Sequence, residues 1–204
     1  TAVSDASSVT FDETAPLSTP RTIFSSNANV ARAKVGDTVT VSFTVNEALL
    51  GSPTVTIDGN AATIGGAHPV YTASYVMQAS DTEGVLTYTI DFDDAAGNSA
   101  IQLTTVTDAT TVTFDETAPQ STPVTIYSDN ANTAIAKVGD TVTLSFTVNE
   151  PLLGSQTVTI DGNATSIAGA YPTDRASDIL VSGGTEGRYG LTLNYKAGVG
   201  NQAN

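Results

Sequence analysis

The octapeptide VTFDETAP stands at 9–16 and recurs, letter for letter, at 112–119. The offset of 103 residues then holds along the chain: KVGDTV at Lys34 and Lys137, SFTVNE at Ser42 and Ser145, LLGS at Leu49 and Leu152, TVTIDGNA at Thr54 and Thr157, TEG at Thr82 and Thr185, and Gly97-Asn98 at Gly200-Asn201. A constant offset leaves no room for insertions between copies. Each copy is therefore a folding unit of ordinary domain size, well above the roughly 20 to 50 residues of a solenoid module. TAVSDASSVTF at Thr1 aligns with TTVTDATTVTF at Thr104, so 1–9 reads as the tail of a preceding repeat, 10–108 as a first repeat and 109–204 as a second. The strand-like AIQLTTVT from Ala100 has no partner after Asn204. The final strand of the second repeat is thus expected to be missing, which points to a piece cut from a longer array ahead of donation by another segment.

The local pattern is that of sheet. Val39, Val41, Phe43 and Val45 alternate with Thr and Ser, as do Val142, Leu144, Phe146 and Val148, and period two marks a half-buried strand. Leu86, Tyr88, Ile90 and Phe92 share one face of a run from Val85, and Tyr189, Leu191, Leu193 and Tyr195 do so in the second copy. Between the runs lie turn signals: Gly36-Asp37, the 46–53 loop, Asp58-Gly59, Gly65-Gly66, the 80–84 segment and the 93–98 segment. About seven short strands per repeat and no helix predict an all-β chain of tandem immunoglobulin-like Greek-key β-sandwiches. The disulfide and core Trp of antibody domains are absent, since the chain has no Cys and no Trp.

Charge narrows the function classes. Asp and Glu number 21 against 7 Lys and Arg, a formal net charge of −14, which repels nucleic acid and anionic membrane surfaces. Without Cys there are no disulfides, zinc–thiolate sites or cysteine catalysis. No apolar stretch approaches the ~18 residues of a membrane span, so the piece is expected to be soluble, with any export signal outside it. His68 lies in a Gly-Gly-Ala-His-Pro loop and becomes Tyr171 in the other copy, a poor setting for a catalytic base. Paired carboxylates can hydrolyse glycosides, but no aromatic sugar platform accompanies these. No enzyme activity is expected.

The acids cluster in turns, and strand order says where they meet. In such a sandwich the amino terminus, the loop between the second and third strands and the last hairpin share one end. Asp12 and Glu13, Glu47, and Asp93, Asp94 and Asn98 are expected to converge there. Five carboxylates and an amide repel one another unless a hard, oxygen-loving cation such as Ca²⁺ intervenes. At the opposite end, Asp81, Glu83 and Asp108 are expected to face Asp115, Glu116 and Glu150 across a junction, an interdomain Ca²⁺ site that would stiffen a flexible string into a rod. The plainer alternative is that these acids cap turns and solvate the surface. Pro16 and Pro119 can also stiffen DETAP as a linker.

The FDETAP linker, VGDTVTLSFTVNEPLLGSQTVTIDGN and the DFDDAAGN hairpin closely resemble the bacterial Ig-like extender repeats of giant RTX adhesins. The resemblance covers both copies. It implies a Ca²⁺-rigidified extracellular array on the bacterial surface that projects a terminal ligand-binding domain for adhesion. Adjacent repeats of the same chain are then its partners, without nucleic acid or direct membrane contact, and the isolated piece is expected to be monomeric.

The second copy departs where Asp93-Asp94 become Lys196-Ala197, while Asp115, Glu116, Glu150 and Asn201 remain. A weaker, altered or absent metal site is expected there. The 171–188 stretch diverges most, and its Tyr171, Asp174, Arg175 and Arg188 suggest a polar patch. That supports an alternative reading as a glycan- or protein-binding module. A further alternative, an accessory domain of a hydrolase, can be separated only by flanking sequence.

Overall fold

Strict alternation of Val, Phe and Leu with Thr and Ser gives each copy its central strand, with every apolar residue buried at 38–45 and 141–148. These come from a computed structural model that describes residues 7–152, 156–180, 187–188, 190–194, 198 and 200–201. No residue among these is helical, and the chain is all-β. It divides into two units, Thr1–Asp115 and Glu116–Asn204. Thr1 to Val3, Leu153 to Ser155, Thr185 and Glu186 of TEG, Tyr189, Tyr195, Lys196 and Ala197 lie outside the described residues.

The first unit holds β1 (Ser18–Ser25), β2 (Arg32–Ala33), β3 (Thr38–Val45), β4 (Thr54–Ile57), β5 (Asn60–Ala61), β6 (Thr63–Ala67), β7 (Val70–Val76), β8 (Gly84–Val85), β9 (Tyr88–Asp91) and β10 (Thr113–Phe114). They form sheets ordered β1-β3-β7-β6, β5-β4-β9 and β2-β10-β8. All pairings are antiparallel except the parallel β2–β10 pair. One apolar cluster draws on all three sheets, with Phe43, Ile57, Ile90 and Phe114 sealed inside. Each such side chain contributes about 1.5 to 3 kcal/mol. The second unit holds β11 (Ser121–Ser128), β12 (Thr141–Val148), β13 (Thr157–Ile160), β14 (Asn163–Ala164), β15 (Ser166–Ala170), β16 (Thr173–Ile179) and β17 (Leu191–Asn194). Its sheets, β11-β12-β16-β15 and β14-β13-β17, enclose Leu144, Phe146 and Ile160. Every one of these strands lies 103 residues after its counterpart in the first unit. Even the register shift of β1 between Ser18 and Arg21 recurs in β11 between Ser121 and Val124. In β1 the shift coincides with Pro20, which has no N–H to give a ladder.

Four details differ from the sequence reading. The boundary between units falls after Asp115, whereas the repeat frame put it at 108/109, because residues 112–114 close the first unit: Leu86 N donates to Val112 O, and Asp115 N to Ala33 O. The 85–92 run is split between two sheets, as β8 pairs β10 while β9 pairs β4. The first unit therefore has more than seven strands, four of them two residues long. Gly65-Gly66 is not a turn: both residues lie in β6, opposite Thr72 and Tyr71. A Cβ on Gly66 would stand 2.5 Å from Val70 O, so glycine is there for close strand approach. Asp58-Gly59 and Asp161-Gly162 do turn hairpins, with positive φ at all four residues, as a two-residue type I′ turn requires.

Candidate metal centre

Three segments meet at one end of the first unit, and backbone geometry puts them there. β3 runs out at Val45, and Asn46 then clamps the incoming connector: Leu17 N donates to Asn46 Oδ1 at 2.7 Å and Asn46 N donates to Leu17 O at 3.1 Å. The 93–98 turn is tied to the same loop through Leu50 N to Asp93 O and Ala95 N to Ala48 O. Gly97, at φ 94, lets the turn close with Asp94 N donating to Asn98 O.

Carboxylate oxygens of Asp12, Glu47 and Asp94 consequently lie within 4.8 Å of one another. Asp94 is fully buried, Glu47 half-buried and Asp12 exposed. Asp94 Oδ1 accepts from the N–H groups of Ala96 and Asn98, both at 2.8 Å, and Oδ2 accepts from Asn98 Nδ2 at 2.8 Å. Burial pushes the Asp94 carboxyl up, but the Asn98 amide and the N–H groups of Asn98, Ala96 and Gly97 outweigh it and hold the group below its ordinary value. Asp94 is thus an anion in a dry place. Asn98 Nδ2 also reaches Asp12 O at 3.2 Å, linking the turn to the connector. Among the described residues no Lys, Arg or His pairs with Asp12, Glu47 or Asp94.

The donor set fits a hard cation. All three side chains offer oxygen, and ligands about 2.4 Å from one Ca²⁺ lie no more than about 4.8 Å apart. Asp94 Oδ1 already accepts two N–H groups, so Oδ2, with one lone pair left, is the atom that remains for a metal.

The other acids named from sequence take different places. Glu13 and Asp93 are exposed and outside the group of three. Asp81 caps the turn after β7, accepting from Gln78 N at 2.7 Å, Tyr75 OH at 3.1 Å and Asn60 Nδ2 at 3.2 Å. Burial and then the Asp81 carboxylate raise the Tyr75 phenol above its ordinary value. Glu83 is exposed just before β8. Asp108 accepts from the hydroxyl and N–H of Thr110, at 2.7 and 3.1 Å, which lowers its carboxyl. Thr107 N, one residue before it, bonds Arg21 O, so Asp108 lies along the flank of β1. Asp115 is half-buried at the end of the first unit; in the second, Glu116 is exposed and Glu150 half-buried. Asn201 Nδ2 donates to Thr117 O at 3.2 Å.

Two networks escaped the sequence reading. Asp37 and its counterpart Asp140 each accept from Asn27 or Asn130, and from the N–H and ammonium of Lys34 or Lys137. The repeated KVGD string was the available signal. The second is aromatic. Phe43 stacks on Tyr71 with centroids 5.8 Å apart and on Phe92 at 6.4 Å. Asp174 stands where the second unit would have Tyr71. A groove of ≈ 540 Å³ opens there, lined by Val148, Pro151, Leu152, Ile167, Tyr171 and the buried Asp174 among others. Arg175, next along β16, is exposed on the opposite face, so the strand separates these two members of the expected polar patch.

No protein-family model matches this chain, and no curated protein is significantly similar to it.

Proposed function

We propose that this chain is a structural spacer: tandem immunoglobulin-like Greek-key repeats of a bacterial cell-surface adhesin, stiffened outside the cell by Ca²⁺ and projecting a distal ligand-binding domain. It is read as non-catalytic. The observation that carries this is the meeting of Asp12, from the DETAP connector, with Glu47 and Asp94, from the body of the unit. Asp12, Glu47 and Asp94 Oδ2 would hold the ion, with Asn98 orienting Asp94. Bound Ca²⁺ supplies positive charge and oxygen coordination, tying the connector to the unit so that it no longer pivots. Recurrence of DETAP at 115–119 and of every second-unit strand at a fixed offset supports an array. The excess of acids over bases suits a rod that must not self-associate through apolar patches.

Calorimetric titration with Ca²⁺ tests this. The wild-type chain should bind saturably, and Asp94→Asn should weaken binding by about tenfold or more, equivalent to about 1.4 kcal/mol. A chain that takes up no Ca²⁺ at millimolar concentration would sink the reading.

The groove over Asp174 favours a second reading, in which the divergent second unit binds a glycan or a protein. A mostly polar lining, with Gln156 and Thr165 beside the buried Asp174 carboxylate, suits a ligand rich in hydroxyl or amine donors. Glycan-array binding lost on Asp174→Ala supports it; an array without signal removes it.

A further inference from the structure

Four acids are buried among the described residues, and three of them are held by several donors each: Asp37, Asp94 and Asp140. The fourth, Asp174, is 8% exposed, and among the described residues nothing donates a hydrogen bond or an ion pair to its carboxylate. A polar group withdrawn from water without a partner is costly. Asp174 lines the groove of the second unit, so a ligand there would supply the missing donors.

Strand pairing builds the place. Asp174 of β16 stands opposite Phe146 of β12 and Gly169 of β15. An added Cβ on Gly169 would come 2.6 Å from Thr173 O and 3.3 Å from Asp174 Oδ1, so glycine both lets the strands approach and keeps the carboxylate open. Thr165 gives its hydroxyl hydrogen to Val158 O at 3.0 Å, and its oxygen remains to accept. Gln156 has an amide that both donates and accepts, without a partner among the described residues. At the rim, Tyr171 is 53% exposed and donates its hydroxyl to Asn149 O at 3.3 Å, which holds the ring as a flat apolar surface.

We infer that the groove takes a neutral pyranose sugar, with two adjacent hydroxyls on Asp174, others on Gln156 and Thr165, and a C–H face against Tyr171. This rests on the second reading of the groove and names its ligand class. The acceptor-rich lining calls for a ligand with several donors, and the volume of ≈ 540 Å³ lies within the roughly 300 to 1,000 Å³ of small-molecule sites. An acidic sugar would bring a like charge to Asp174. An ammonium on an apolar stem would satisfy Asp174 alone and leave Gln156 and Thr165 to water. A metal ion finds too few ligands, since Asp174 belongs to no group of three potential ligands among the described residues.

Amide proton–nitrogen correlation spectra of the 204-residue chain test this, with lactose, maltose, cellobiose and methyl mannoside as neutral probes, glucuronate as the acidic one and butylammonium as the amine. At least one neutral sugar should shift the amides of Gly169, Tyr171 and Asp174 saturably, while glucuronate and butylammonium leave them in place. Asp174→Asn should weaken that binding about tenfold or more. Tyr171→Ala, at an exposed position, should weaken it too, and Arg175→Ala, on the opposite face of β16, should not. Binding of glucuronate or butylammonium in preference to every neutral sugar overturns the sugar assignment and leaves the groove a binding site. A neutral sugar held equally well by Asp174→Asn overturns the assignment as well. Amides that no probe shifts overturn the assignment and the groove reading together.

Discussion

Asn98 holds Asp94 at both ends of its carboxylate, through its N–H to Oδ1 and its amide to Oδ2, each at 2.8 Å. The same amide reaches Asp12 O, so one side chain sets the buried anion and anchors the connector. Asn98→Ala should raise the Asp94 carboxyl toward its ordinary value, lower the first unit's melting temperature without metal, and weaken Ca²⁺ binding. Calorimetry with and without Ca²⁺ checks all three; unaltered Ca²⁺ affinity would mean that Asn98 does not organise the site.

Phe114 and Phe11 provide a matched pair. Phe114 fills the core of the first unit and Phe11 stands in solvent. Phe114→Ala should cost about 3 to 5 kcal/mol, whereas Phe11→Ala should change stability by less than about 0.5 kcal/mol. Chemical denaturation reads both, and equal losses would contradict the assignment of residues 112–114 to the first unit.

Asp140 carries the acid dependence of the second unit. Hydrogen bonds from Asn130 and Lys137 hold its carboxyl down from 3.8 to about 2. A depressed carboxylate contributes stability above its unfolded value and loses it as pH falls through the folded one. The second unit should therefore weaken between pH 3.8 and about 2. Asp140→Asn should flatten that limb. The partner, Lys137, is raised above 10.5 by the same contact, so its contribution is full below 10.5 and fades as pH climbs past that value. A melting series across both limits, on wild type and Asp140→Asn, checks the signs.

Asp174→Tyr should restore to the second unit the ring that Tyr71 stacks on Phe43 in the first. The exchange also removes a buried carboxylate. An aromatic pair contributes about 0.5 to 1.5 kcal/mol beyond area burial, so the second unit's melting transition should rise, and any ligand of the groove should be excluded. A lower transition would show that the space over Phe146 does not accept a ring.

Much of the sheet was legible because alternation reports burial directly: the apolar residues of 38–45 and 141–148 all face inward. Alternation does not report a change of partner, so the break between β8 and β9 at Leu86 and Thr87 was hidden. Gly65-Gly66 read as a turn because glycine serves both turns and close strand approach, and only Val70 O tells them apart. The domain boundary was hidden because a repeat has no intrinsic phase; burial of Val112 and Phe114 supplies one. At the candidate site, strand order named Asp12, Glu47, Asp94 and Asn98, which lie together. It could not separate Asp93 from Asp94, adjacent acids whose side chains end up exposed and buried through the turn's own geometry.

The central claim is that Ca²⁺ ties the 12–16 connector to the body of the first unit through Asp12, Glu47 and Asp94. Amide hydrogen exchange across residues 10–16, read with millimolar Ca²⁺ and then with excess EDTA at fixed salt, tests it most directly. The account predicts slowed exchange with Ca²⁺ and faster exchange after chelation. Identical exchange in both would contradict it, and would leave Asp12 and Glu47 as surface carboxylates beside a buried Asp94 held only by its own turn.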